Sequence, residues 1–136
     1  MARVLIPFSN PASGARALRR LLARPRDPRL SVELLAIVDP LTPGKVAAFV
    51  SPELAQAQAS AAAKRWLGEL EPLLERAGIR YRSQVAIGRL RPILQREGAR
   101  SDIDEVLLGS REHDPLRRWR RRFIAHAMDR PLVSVS

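Results

Sequence analysis

Five of the six residues from Arg117 to Arg122 are arginines, and the sixth is Trp119. A guanidinium is a planar fork that grips phosphate or carboxylate oxygens in pairs, and an indole offers a face on which a base can stack. Arg117, Arg118, Arg120, Arg121 and Arg122 therefore form a candidate anion clamp. The same spacing also fits the wet face of a helix, with Trp119, Phe123 and Ile124 turned inward, and for Trp119 that packing reading is the preferred one. A short apolar run, Val106-Leu107-Leu108, ends just upstream in the small-residue turn Gly109-Ser110. Open α/β sheets bind ligands just past the carboxyl ends of parallel strands. The loop after Gly109 is thus expected to lie close to whatever the protein binds.

Other groups with chemical potential are sparser. His113 and His126 have no cysteine and no recognisable carboxylate set beside them, so no metal site is expected. Asp102, Asp104 and Glu105 cluster in sequence, but they sit where a strand begins, far from a ligand at its other end. Residues 9–14, Ser-Asn-Pro-Ala-Ser-Gly, have the small-residue character of a flavodoxin-type phosphate loop. A flavin also needs flanking aromatics to stack on, and the strand ends offer none. No nucleophile, base and orienting group assemble into a set. No catalytic residue is assigned, and the chain is not expected to be an enzyme.

The elements that must hold these residues alternate along the chain. Residues 3–8 read as a buried strand closed by turn formers. Asn10 or Ser13 can cap a helix over 11–23 whose inner face carries Ala17, Leu18, Leu21 and Leu22. Pro25 and Pro28 end it, and 31–38 forms a second strand. Ser51-Pro52-Glu53 is a strong helix start: a capping hydroxyl, proline at the first position and an acid in the first turn. That helix should run to residue 77 and stop at Gly78, with Trp66, Leu67, Leu70, Leu73, Leu74 and Ala77 on one face. Pro72 should kink it or divide it in two. A third strand over 81–87, a helix over 91–100, a fourth strand over 105–108, a helix within 116–128 and a fifth strand over 132–135 complete the pattern. Such alternation specifies a single-domain α/β fold with a parallel sheet and helices on both faces.

In order and spacing, VLIPFSN, VELLAIVDP, AGIRYRSQVAIG, DIDEVLLGS and the terminal PLVSV resemble the universal stress protein family, over essentially the whole chain. The resemblance implies an open five-stranded parallel sheet in the order 3-2-1-4-5, a homodimer and a part in stress survival. Many members bind ATP through a glycine motif: a glycine, a second three residues on, a third ten further, then a hydroxyl residue. Gly109 matches the first position, whereas Glu112, Arg122 and Phe123 occupy the others. Ser9 stands where the family has an adenine-contacting Asp, and the segment between Arg122 and Pro131 is several residues short. Glu112 would set a like charge beside a phosphate, and Arg122 and Phe123 add bulk where backbone must approach closely. The resemblance therefore implies no cofactor, with ATP disfavoured. A ligand that did bind would meet Ser9, Asn10, Val38, Asp39, Gly88, Gly109, Ser110 and Arg111. The dimer would form on the edge carrying Leu132, Val133 and Val135, an apolar strand free of charge.

Composition sets the outer limits. The 136 residues suit one core, and because only 4% are aromatic that core must be aliphatic. There is no cysteine, which excludes disulfides and thiolate chemistry and fits a reducing, cytoplasmic setting. No stretch approaches the length of a membrane span. The net charge of +10 suggests an acidic protein, a phosphate-containing ligand or nucleic acid as partner. Of the basic residues 22 are arginines and only Lys45 and Lys64 are lysines. That bias has the look of a GC-rich genome, which explains Arg over Lys but not the excess over acids.

Overall fold

The computed structural model of the protein describes residues 2–39, 51–109 and 132–134. The order is β1 (Ala2–Phe8), α1 (Pro11–Leu22), β2 (Leu30–Val38), α2 (Pro52–Ala77), β3 (Arg80–Ile87), α3 (Leu90–Gly98), β4 (Glu105–Leu108) and β5 (Leu132–Ser134). The strands pair in parallel as β3-β2-β1-β4-β5. In register, Val4 pairs with Val32 on one side and Glu105 on the other, and β5 joins β4 through Val106 and Leu132.

Strand alternation sorts the apolar side chains to two faces. Val4, Ile6, Phe8, Val32, Leu34 and Ala36 face α1 and α2, where Leu18, Leu21, Leu67, Leu70 and Leu74 meet them. Leu5, Leu35 and Ile37 face the other way, against Ile93 and Leu94 of α3 and Ile103. The helices expected at these places are found with their inner faces as expected.

Local signals explain the helix ends. Asn10 caps α1, its side-chain oxygen accepting from the Ser13 amide at 2.9 Å, and Ser51 caps α2 by accepting from the Leu54 amide at 3.2 Å. Gly78 closes α2 in the left-handed conformation, at φ 69°, which a side chain resists. Of the two outcomes expected at Pro72, a kink or a division, the division does not occur, since α2 is one helix of 26 residues. Proline denies a hydrogen bond to the carbonyl four residues back and crowds it. That carbonyl belongs to Gly68, an exposed residue with open space beside it, so the helix can yield locally without breaking.

Candidate functional site

The chain leaves β1 toward β2 on one side of the sheet, while β4 is followed by β5 on the other. The carboxyl ends of β1 and β4 therefore flank the topological switch point, the place where an open α/β sheet has a crevice for a ligand. Of the ligand residues expected from sequence, the structure brings together Ser9 and Asn10 after β1, Val38 and Asp39 at the end of β2, Gly88 after β3 and Gly109 after β4. The Gly88 amide donates to the Val38 carbonyl at 2.9 Å, which holds two of those strand ends together. Ser110, Arg111, the five arginines at 117, 118 and 120–122, Glu112, Phe123, both histidines and Val135 lie outside the described residues.

The start of α1 is poorly suited to cradle a phosphate. Helix N-termini bind anions through amides that lack partners. Here Pro11 has no amide hydrogen, the Ser13 amide donates to the Asn10 side chain, and the Gly14 amide donates to the Asn10 carbonyl at 3.4 Å. Ser13 is itself buried, and its hydroxyl donates to the Asn10 carbonyl at 3.2 Å. Of the amides at the cap and first turn, these contacts and Pro11 leave those of Asn10 and Ala12 to meet a ligand. Residues 9–14 thus form a helix cap rather than a phosphate loop.

Gly109 also acquires a second meaning. A Cβ there would stand 1.8 Å from the Ser13 carbonyl oxygen and 2.8 Å from the Ala17 amide nitrogen. Only glycine allows α1 to lie this close to the end of β4. The Nε of Arg16 donates to the Gly109 carbonyl at 3.1 Å, fastening the same junction from the helix side. Arg16 is half-buried and places its guanidinium at the switch point. Sequence reasoning missed it, since nothing distinguishes it there from the other arginines of α1.

A second residue missed is Glu33, an acid inside β2 whose side chain is only 1% exposed. Arg82, its register partner on β3, donates from Nη2 at 2.5 Å and from Nε at 3.1 Å. Arg100 donates to both Glu33 oxygens and also to Asp102 at 2.7 Å, and Asp102 accepts from Arg3 at 2.8 Å. Burial by itself would raise the Glu33 carboxyl, but the hydrogen bonds and charges of Arg100 and Arg82 outweigh it and hold the group below its ordinary value. The Arg100 hydrogen bond, helped by Arg3, draws Asp102 down to about 2. Asp104 accepts from the Arg3 amide at 2.7 Å, and Glu105 takes two bonds from Arg24 at 2.8 and 2.7 Å. Asp102, Asp104 and Glu105 thus hold the amino-terminal edge of the sheet together, away from the switch point. Among the described residues no group of His, Asp and Glu could hold a metal ion, and no helix is long and apolar enough to cross a membrane.

A cavity of about 440 Å³ opens at that same far edge, lined by Leu21, Leu22, Arg26, Leu30 and Ile79 among others. The carboxyl ends of α1 and α2 converge on it, and the negative ends of helix dipoles disfavour an anionic ligand.

Comparison with known proteins agrees with this fold. The model of the universal stress protein family fits residues 1–127. No curated protein matches the sequence significantly. Among solved structures, the hypothetical protein MJ0577, a test case in structure-based assignment of biochemical function, superposes with a TM-score of 0.73 at 17% identity, over 98% of this chain and 94% of that one. A universal stress protein family member from Burkholderia pseudomallei gives 0.70 at 17% identity, over 98% and 95%. One from Arabidopsis thaliana, solved with AMP bound, gives 0.61 at 15% identity, over 100% and 93%. At such identities these likenesses concern the fold.

Proposed function

The chain belongs to the universal stress protein family, and from that premise we propose a small cytoplasmic stress-response protein that acts by dimerisation and partner contact, without catalysis and without tight ATP binding. The observation that carries the last point is the state of the switch point. Ser9 offers a hydroxyl where the family presents a carboxylate to adenine, and the first turn of α1 lacks an amide at Pro11 and has its Ser13 amide engaged by the Asn10 side chain. In sequence, Glu112, Arg122 and Phe123 replace small residues of the nucleotide motif.

A second reading has two observations in its favour. Arg16 sets a guanidinium beside Gly109, and a protein of the same fold was solved with AMP. A phosphate-bearing ligand held by arginine forks instead of backbone amides fits that placement. Titration calorimetry separates the two readings. The protein is expected to show no saturable heat with ATP at physiological salt, whereas one-to-one binding tighter than about 10 µM, some −7 kcal/mol, supports the ligand reading. The combined variant Ser9→Asp, Glu112→Gly, Arg122→Gly and Phe123→Ser should gain ATP affinity. A folded variant with no gain would show that these positions do not correspond to the family's motif.

A further inference from the structure

The first 26 residues contain six arginines and no acid. The fold gathers three of them on one helix. Ser13, Gly14, Ala17, Leu18 and Leu21 are the buried side of α1. The opposite side carries Ala12, Arg16, Arg19, Arg20 and Ala23, all exposed except the half-buried Arg16. Arg16 and Arg20 are one turn apart, about 6 Å along the axis, and Arg19 lies beside them. Like charges at this spacing repel, so the face gains from an anion laid along it. Arg24, just past the helix, is already held by Glu105 through both carboxylate oxygens. Arg19 and Arg20 have no such acid opposite them among the described residues.

We propose that the outer face of α1 is a binding surface for the phosphate backbone of nucleic acid, with Arg19 and Arg20 as its principal contacts and Arg16 at its upper end. Charge complementarity selects the class of partner, and what the face lacks narrows it. A protein partner engages through a buried aromatic or aliphatic anchor, and a membrane surface through bulky apolar side chains beside the cations. The exposed face of α1 has only alanines between its arginines. Among the described residues the large exposed apolar side chains are Leu54 and Val85, on α2 and β3. Cations separated by alanine let a backbone approach closely and give no means of reading a base edge, which suits sequence-independent phosphate contact. This inference does not depend on whether the switch point binds a nucleotide.

The test uses the whole protein and a short fluorescein-labelled DNA duplex of mixed sequence, followed by anisotropy across a salt series. Binding is expected at low salt, falling as salt rises and indifferent to sequence. Arg19→Gln with Arg20→Gln should weaken it roughly tenfold at 0.1 M salt and flatten the log–log salt slope by about 1.8, or 0.9 for each phosphate no longer neutralised. Circular dichroism and thermal melting should match the parent, since neither side chain is buried. Arg19→Lys with Arg20→Lys should keep the slope, because charge and not fork geometry is the cause. Three outcomes overturn the proposal: no binding by the parent protein at low salt; an unchanged slope in the glutamine variant, with binding abolished only when Arg117, Arg118 and Arg120 are replaced; or tighter binding to phosphatidylserine vesicles than to the duplex.

Discussion

At Gly109 a single hydrogen-to-methyl change sets backbone against backbone. The added Cβ would meet the Ser13 carbonyl oxygen, and α1 could make room only by moving off β4. Gly109→Ala should therefore cost at least the upper end of the roughly 1–3 kcal/mol typical of overpacking, read as a lower urea midpoint with unchanged slope. Glu33 is the other residue whose surroundings fix its role. Its folded value lies below the ordinary 4.5, so the stability it contributes is complete above that value and disappears as pH falls through the lower folded one. Asp102, drawn to about 2, acts in the same direction. Stability should stay level with respect to these two groups above about pH 5 and decline from there toward pH 2. Glu33→Gln should flatten part of that decline. At pH 7 it should cost about 2 kcal/mol, less than the loss of a partner in a fully buried pair, because Arg82 is 56% exposed and can rehydrate. Arg100→Ala should cost more than Arg82→Ala, since Arg100 is 22% exposed and ties Glu33 to Asp102. Melts from pH 2 to 8 check the pH dependence, and an identical acid limb in Glu33→Gln would remove Glu33 as its source.

Within α2 the same substitution should act with opposite sign at two glycines. Gly68 is exposed in the helix interior, with nothing within 4 Å of where a methyl group would stand, so Gly68→Ala should stabilise by about 0.5–1 kcal/mol through helix propensity. Gly78 ends the helix at φ 69°, and the Arg26 guanidinium lies 2.7 Å from where its Cβ would be. Gly78→Ala should therefore destabilise by about 1 kcal/mol. Thermal melts of the two variants should move apart, and a gain at Gly78 would count against the left-handed cap. These contrasts also show how far pattern reading reaches. The start at Ser51-Pro52, the apolar face and the stop at Gly78 were all legible, because each is a local preference. Which of the two outcomes Pro72 would have, a kink or a division, was not, because it depends on how freely the exposed turn at Gly68 can yield.

For the whole molecule, the open question is assembly. β5 ends the described sheet and follows β4 in register from Leu132 to Ser134. Its outer edge has no strand beside it among the described residues, and such an edge pairs readily with a copy of itself about a two-fold axis. A dimer is expected by light scattering at micromolar concentration, with Val133→Pro shifting the population toward monomer by removing an amide and blocking the ladder. A monomeric parent protein would end the proposal of dimerisation.

The sequence alone determined the α/β alternation, the inward faces of α1, α2 and α3, and the caps at Ser51 and Gly78, and it narrowed the cap of α1 to Asn10 or Ser13, since periodicity and capping are short-range properties of the chain. It also placed Ser9, Asn10, Val38, Asp39, Gly88 and Gly109 at strand ends. Tertiary structure decided what those places contain. Arg16 reaches Gly109 across 93 positions of sequence, and Arg100 reaches Glu33 across 67. No periodicity encodes such meetings, because they arise only when β1 and β2 are inserted between β3 and β4 in the sheet. The same packing gave Gly109, expected as a ligand turn, a second role as a close approach of helix and strand, and it gathered the arginines of α1 on the side that its buried face leaves to solvent.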